Sequence, residues 1–193
     1  IYVNMRERER ERETITAAIS STTMAKSDSF FIRATLDAQN GVFTQTEIDL
    51  GAYVDALGKS VLKIHNVQVH LQDATNLQRP PLYNAGSGAE VSWQLTTQGQ
   101  AAIVRPSNRS VVSSGLTQFA EVGSGTGNGQ LSSEAAGLNV HMFTDGYLIA
   151  VEQMFLGAEQ TGLVSDTAVS VVMECTVESL TQSAAMALAL SQQ

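Results

Sequence analysis

Residues 30–50 read Phe30-Phe31-Ile32-Arg33-Ala34-Thr35-Leu36-Asp37-Ala38-Gln39-Asn40-Gly41-Val42-Phe43-Thr44-Gln45-Thr46-Glu47-Ile48-Asp49-Leu50. Phe30, Ile32, Ala34 and Leu36 fall in one phase and Phe31, Arg33, Thr35 and Asp37 in the other, the period-two pattern of a strand buried on one face. Thr46, Ile48 and Leu50 alternate in the same way with Gln45, Glu47 and Asp49. Asn40-Gly41 between the two runs predicts a type I′ hairpin, because that turn needs positive φ at both central residues.

The same period recurs along the chain. Residues 60–72 place Leu62 and Ile64 in one phase and Val67, Val69 and Leu71 in the other. A slip of one residue would turn the core face outward, so a β-bulge is predicted near His65-Asn66. Arg79-Pro80-Pro81 ends any pairing, since proline has no amide to give to a ladder. Ala89, Val91, Trp93 and Leu95 alternate with Glu90, Ser92, Gln94 and Thr96, and Gln98-Gly99 turns the chain into a further run, Ala101 to Arg105. Residues 107–137 are rich in Ser and Gly, with Gly123-Ser124-Gly125-Thr126-Gly127-Asn128-Gly129 at their middle, and read as one long surface loop. Strand signals resume at Leu138 to Phe143. Asp145-Gly146 predicts a second type I′ hairpin, with Tyr147 to Leu156 returning. Val169, Val171, Met173, Cys175 and Val177 then alternate with Ser170, Glu174 and Thr176. Leu180 to Leu190, rich in Ala and Leu without Gly or Pro, predicts a short C-terminal helix.

About eight short strands with no helical pattern between them predict an all-β fold, an antiparallel eight-stranded β-sandwich. Phe30, Ile48, Trp93, Phe155, Val69 and Val171 are its expected core residues. The expected organisation is an N-terminal charged arm over 1–29, the sandwich over 30–178 and a C-terminal helical tail over 179–193.

Composition narrows the function. The 193 residues are 43% hydrophobic but only 16% charged, and uncharged polar residues make up the difference. The longest apolar run, Ala184 to Leu190, is far short of the roughly 18 residues of a membrane-spanning helix, and residues 1–25 contain no apolar stretch of the signal-peptide kind. A single cysteine, Cys175, forms no internal disulfide. Residues 6–13 alternate as Arg6-Glu7-Arg8-Glu9-Arg10-Glu11-Arg12-Glu13, so four of the eight arginines are cancelled by neighbouring glutamates and the rest of the chain carries the net charge of −8. No cluster of unopposed Lys and Arg remains to displace counterions from phosphate, so direct, sequence-specific nucleic-acid binding is not expected. On a helix the alternation gives cancelling pair terms; extended, it puts every Arg on one face and every Glu on the other. A solvated leader and an arm lying between two surfaces both fit. Met24-Ala25-Lys26-Ser27-Asp28 also reads as a translation start, which would place residues 1–23 upstream of the mature chain.

Catalytic patterns are largely missing. The glycine run is followed by Gln130-Leu131-Ser132-Ser133, without the lysine of a phosphate-binding loop. His65, His70 and His141 include neither a His-x-His pair nor a His-Glu-x-x-His helix; a site joining them to Asp73 or Asp145 is the one metal arrangement the spacing leaves open. Ser124, between Gly123 and Gly125, lacks the strand-to-helix setting of a nucleophile elbow. Cys175, on an inward phase, reads as an inert buried thiol. Glu47 with Asp49 and Glu174 with Glu178 are carboxylate pairs without the aromatic platforms of a sugar site. Asn108-Arg109-Ser110 matches the N-glycosylation pattern. A non-enzymatic protein with no metal and no cofactor is expected.

The arm before Phe30, the strands with turns at Asn40-Gly41 and Asp145-Gly146, and the long insertion between Val104 and Leu138 resemble, at the level of architecture, the single jelly-roll capsid proteins of icosahedral viruses. The resemblance implies two Greek keys and a major capsid subunit located in the virion, whose partners are copies of itself and, further, other virion proteins or an internal membrane. It also gives Arg6, Arg8, Arg10, Arg12, Glu7, Glu9, Glu11 and Glu13 the role of an assembly arm. Where such proteins package RNA directly the arm is strongly basic; the neutral arm here departs from that, which implies a genome neutralised by other means. The alternatives are a carbohydrate- or surface-binding β-sandwich of the lectin or adhesin kind, and a cupin-type enzyme whose histidine order is not matched here.

Overall fold

The computed structural model describes residues 28–55, 57, 59–83, 88–122, 130–136 and 140–193. Among these, nine strands and one helix follow in order: β1 (Phe30–Ala38), β2 (Thr44–Asp49), β3 (Ser60–Asp73), β4 (Ala89–Thr96), β5 (Val111–Val122), β6 (Gln130–Ala136), β7 (Val140–Ile149), β8 (Gln153–Thr161), β9 (Thr167–Ser179) and α1 (Gln182–Ser191). One sheet has the order β1-β9-β3-β7 and the other β2-β8-β4-β5-β6, and every neighbouring pair is antiparallel. Eight of the strands form the two interleaved four-stranded sheets of a jelly roll; β6 is added at the outer edge of the second sheet.

The alternating residues of the opening stretch behave as strands, but not as a hairpin with each other. β1 pairs with β9, and β2 pairs with β8 in the opposite sheet. Asn40-Gly41 is therefore the corner where the chain crosses the sandwich. Only Gly41 has positive φ there, +66°, so the turn is not type I′. The reason is tertiary. The Asn40 amide donates to the Leu163 carbonyl at 2.9 Å and its oxygen accepts from the Leu163 amide at 3.3 Å, which ties the corner to the β8–β9 turn instead of to a partner strand.

The bulge expected at His65-Asn66 is present. Ile64 pairs with Cys175 and Asn66 with Glu174, which leaves His65 as the additional residue on β3. Leu62 and Ile64 before the bulge, and Val67 and Val69 after it, are consequently all buried. The same irregularity appears against β7, where Ile64 faces Tyr147 but Asn66 faces Met142. The Asp145-Gly146 hairpin is thus corrected to an excursion within β7. Gly146 takes φ +77° there, and side-chain carbons of Lys63 occupy the place of its missing Cβ.

Two further expectations are corrected. The loop over 107–137 instead contains β5 and β6, which pair with each other from Leu116↔Ala136 to Val122↔Gln130. Gly115 within it is a packing residue: it lies directly across from Trp93, and a Cβ there would come 2.7 Å from the indole. Ala101 to Arg105 is not a strand but an irregular segment held by a buried glutamine. Gln94 donates to the Ala102 carbonyl at 3.1 Å and accepts from the Val104 amide at 2.8 Å.

The space between the sheets is filled by Trp93, Leu50, Leu62, Ile64, Leu95, Ile149, Met154, Leu156 and Met173, all fully buried. Ile48, Val69 and Val171 are buried as expected, whereas Phe30 and Phe155 are only half-buried. A second small cluster forms where Ala185 of α1 packs on Val61 and Ala150. Thr181 caps the helix by accepting from the Ala184 amide, a cap worth about 1 kcal/mol. Gln192 anchors its far end, accepting from the Ala150 amide at 2.9 Å and donating to the Leu148 carbonyl at 2.7 Å.

Candidate functional site

Three connections meet at one end of the sandwich: β1–β2, β3–β4 and β8–β9. They are joined by backbone and side-chain bonds. The Gly41 amide donates to the Gln160 carbonyl at 2.8 Å, the Val164 amide to the Leu82 carbonyl at 2.8 Å and the Ala74 amide to the Asp166 carbonyl at 2.9 Å.

Asp73 is the knot of this end. It closes β3, and its side chain is fully buried. One carboxylate oxygen accepts from the Thr75 amide at 2.8 Å, the Thr75 hydroxyl and the Asn76 amide at 3.1 Å. The other accepts from the Ser165 hydroxyl at 2.6 Å and from Arg79 Nε and Nη2 at 3.2 and 3.0 Å. The Ser165 and Thr75 hydroxyls hold its carboxyl well below the usual carboxylate range, against the opposing effect of burial. Asp73 is therefore an anion with every lone pair committed to structure.

What this end shows to solvent is apolar. Val42, Leu77, Leu82 and Val164 are exposed by 51%, 58%, 39% and 58%, and each sits on one of the three tied connections. At the opposite end α1 and Gln192 close the sandwich, the Gln192 carbonyl accepting from Thr97 Oγ1 at 2.8 Å.

The residues singled out for chemistry are dispersed. His65 Nε2 lies 2.9 Å from Thr176 Oγ1, His141 Nδ1 lies 3.0 Å from Ser113 Oγ, and His70 is exposed. Asp73 is saturated as described, and no group of three or more metal-ligating side chains occurs among the described residues. Glu47 accepts from Gln153 at 2.8 Å and the Asp49 carboxylate from the Gly51 amide at 2.8 Å. Glu174 accepts from Asn66 at 2.6 Å, and Glu178 pairs with Lys63 at 3.0 Å. Asn108 Oδ1 accepts from the Ser110 amide and hydroxyl, both at 3.0 Å, and is spent on its own turn. Cys175 is buried between the sheets, and that burial, with the neighbouring Glu174 carboxylate, pushes its thiol up to about 12. The alternating arm, Arg6 to Glu13, and the glycine run with Ser124 lie outside the described residues.

Sequence reading missed the Asp73 knot, the Asn40 tie and the Gln94 clamp. A signal for the first was available: Asp-x-Thr at the end of an alternating run is the pattern of an aspartate that turns the chain by accepting from amides two and three residues on. Nothing local marks Asn40 or Gln94, whose partners lie in other segments.

No family model and no curated protein sequence matches the chain. Among solved structures it is similar to Desmodium yellow mottle tymovirus, at 12% identity and TM-score 0.35 over 82% of this chain and 89% of that one. It is also similar to VP1 of Trichodysplasia spinulosa-associated polyomavirus in complex with sialylated glycooligomers, at 6% identity and TM-score 0.37 over 81% and 99% of the two chains. Dimeric latent PorU from Porphyromonas gingivalis is similar at 10% identity and TM-score 0.33, over 82% of this chain but 13% of that one. The likeness is one of architecture, and the fold assignment itself stands on the chain's own order, β1-β9-β3-β7 against β2-β8-β4-β5.

Proposed function

We propose that the chain is a major capsid subunit whose copies assemble into an icosahedral virion shell. The observation that carries the reading is the tied end of the sandwich. Val42, Leu77, Leu82 and Val164 are held out to solvent on connections that hydrogen bonds have already immobilised. Exposed aliphatic side chains gain roughly 25 cal/mol per Å² when covered, and a surface that is rigid beforehand loses little further entropy on docking. Many such contacts in a closed symmetric assembly add to a stability that one interface does not reach. The low charged fraction, 16%, leaves few ions to desolvate between subunits. The interior between the sheets is packed with apolar side chains, which leaves no room there for a cupin-like metal site.

On this reading the protein resides in the virion and its principal partners are copies of itself, with other virion proteins or an internal membrane beyond them. Arg6, Arg8, Arg10, Arg12 and the intervening glutamates form an arm that reaches a neighbouring subunit. The native mass of the purified chain, by light scattering and electron microscopy, tests the proposal. Closed shells or their symmetric fragments are expected; a stable monomer at high concentration overturns it. Removing residues 1–23 is expected to impair assembly while leaving the β-sheet circular dichroism intact.

A further inference from the structure

We infer that the β5–β7 side of the sandwich holds a binding site for a small uncharged amphiphile, with Ser113 and His141 as its polar anchor. An open cavity of about 520 Å³ lies there, within the range of sites that enclose drug-sized ligands. Its origin is visible in the strand that walls it. β5 crosses the edge of the core with Ser113, Ser114 and Gly115, where a packed strand would carry branched aliphatic residues. Gly115 gives its space to the Trp93 indole, and the serines leave theirs unfilled. Protein interiors are otherwise close-packed, so a void of this size next to a core tryptophan sets this side of the molecule apart.

The lining fixes the class of ligand. Trp93, Ile103, Val104, Pro106, Val112 and Leu116 provide an apolar wall. No Asp, Glu, Lys or Arg lines the cavity among the described residues. The polar feature is the pair Ser113 Oγ and His141 Nδ1, 3.0 Å apart. His141 is itself steadied by Phe143, whose ring centroid lies 4.4 Å away and which in turn packs on Tyr147 at 5.4 Å. A serine hydroxyl both donates and accepts, so the pair suits one hydroxyl, ketone or amide group on an apolar body. With no fixed countercharge, a carboxylate or ammonium would lose its hydration without compensation. The mouth is formed by the segment that Gln94 clamps at Ala102 and Val104.

The experiment uses the full chain and its single tryptophan, Trp93, as reporter. Titration with 1-octanol, against octane and sodium octanoate, is followed by tryptophan emission and by the thermal midpoint. Saturable binding of octanol is expected, with octane and octanoate each at least tenfold weaker. Val104→Phe, which narrows the mouth at a half-buried position, is expected to abolish binding without shifting the midpoint of the unliganded protein. Ser113→Ala is expected to weaken octanol about tenfold, the loss of one hydrogen bond, while leaving octane unchanged. Non-saturable emission changes, octanoate binding as tightly as octanol, or octanol binding undiminished in Val104→Phe would each overturn the inference. None of these outcomes depends on whether the chain assembles.

Discussion

A Cβ placed on Gly115 would lie 2.7 Å from three atoms of the Trp93 indole, and the two residues face each other across β5 and β4. The largest side chain in the core is thus accommodated by the smallest residue directly opposite. Gly115→Ala is expected to cost about 1–3 kcal/mol by overpacking, read as a lower urea midpoint with an unchanged slope. Combining it with Trp93→Leu is expected to recover most of that increment relative to Trp93→Leu alone, because the clash then has no partner. Additive losses in the double variant would show that the glycine serves the backbone and not the indole.

The bulge at His65 makes a contrasting pair of variants. His65→Ala removes one hydrogen bond to Thr176 and is expected to cost about 0.5–1.5 kcal/mol. Deleting His65 instead shifts β3 by one residue and sends either Leu62 and Ile64 or Val67 and Val69 to the solvent face, which is expected to abolish cooperative folding. Comparable urea midpoints for the substitution and the deletion would contradict the role assigned to the additional residue.

Asp73 makes stability depend on acid. Its folded-state pKa lies below the unfolded value, near 3.9, so the stability it contributes is fully present above that value and is lost as the pH falls through the lower, folded one. Asp73→Asn is expected to be less stable than the wild type near pH 7, with the gap narrowing as the pH is taken below about 4. Denaturant midpoints measured across that range check it. A gap that stays constant would assign the contribution to shape alone.

Cys175 runs in the opposite sense. With its thiol pushed up to about 12 by burial and by Glu174, it stays protonated in the folded chain while the unfolded chain ionises from about pH 8.5 upward. Stability is therefore fully present below that pH and declines as the pH rises toward the folded value. Alkylation by iodoacetamide at mildly alkaline pH is expected to proceed at the rate of unfolding, not of the reagent; rapid labelling of the native protein would refute the burial.

The tied loops give a test of the assembly surface. Leu82→Asp and Val164→Asp place carboxylates on exposed positions, where they are expected to change stability by less than about 0.5 kcal/mol while preventing assembly. Asn40→Ala, which cuts both bonds to Leu163, is expected to weaken assembly less by loosening the surface without removing it. Native mass by light scattering distinguishes these outcomes from unfolding, which circular dichroism follows separately.

How much was legible beforehand is shown by particular residues. The alternation of Phe30 to Asp37 and of Val169 to Val177 identified both strands, because a period of two follows from local backbone geometry. The phase change between Ile64 and Val67 predicted the bulge for the same reason. Residues 107–137 misled because serine and glycine have weak strand preference, and what makes Ser113, Ser114 and Gly115 a strand is pairing with β4 and the bulk of Trp93. Asn40-Gly41 and Asp145-Gly146 misled in another way: both are turns, but a turn signal does not say whether the chain returns to its own sheet.

The amino-acid sequence alone determined the class of the protein, all-β with a buried face on each strand, a neutral arm and a thiol turned inward, since these depend on periodicity and composition. Only the tertiary structure decided which strands are neighbours, that β1 and β2 lie in opposite sheets, that Asp73 ties three connections into one apolar end, and that the β5–β7 side is left open. Those features rest on contacts between segments remote in the chain. Their free energy arises when two surfaces meet, and neither surface carries a local mark of its partner.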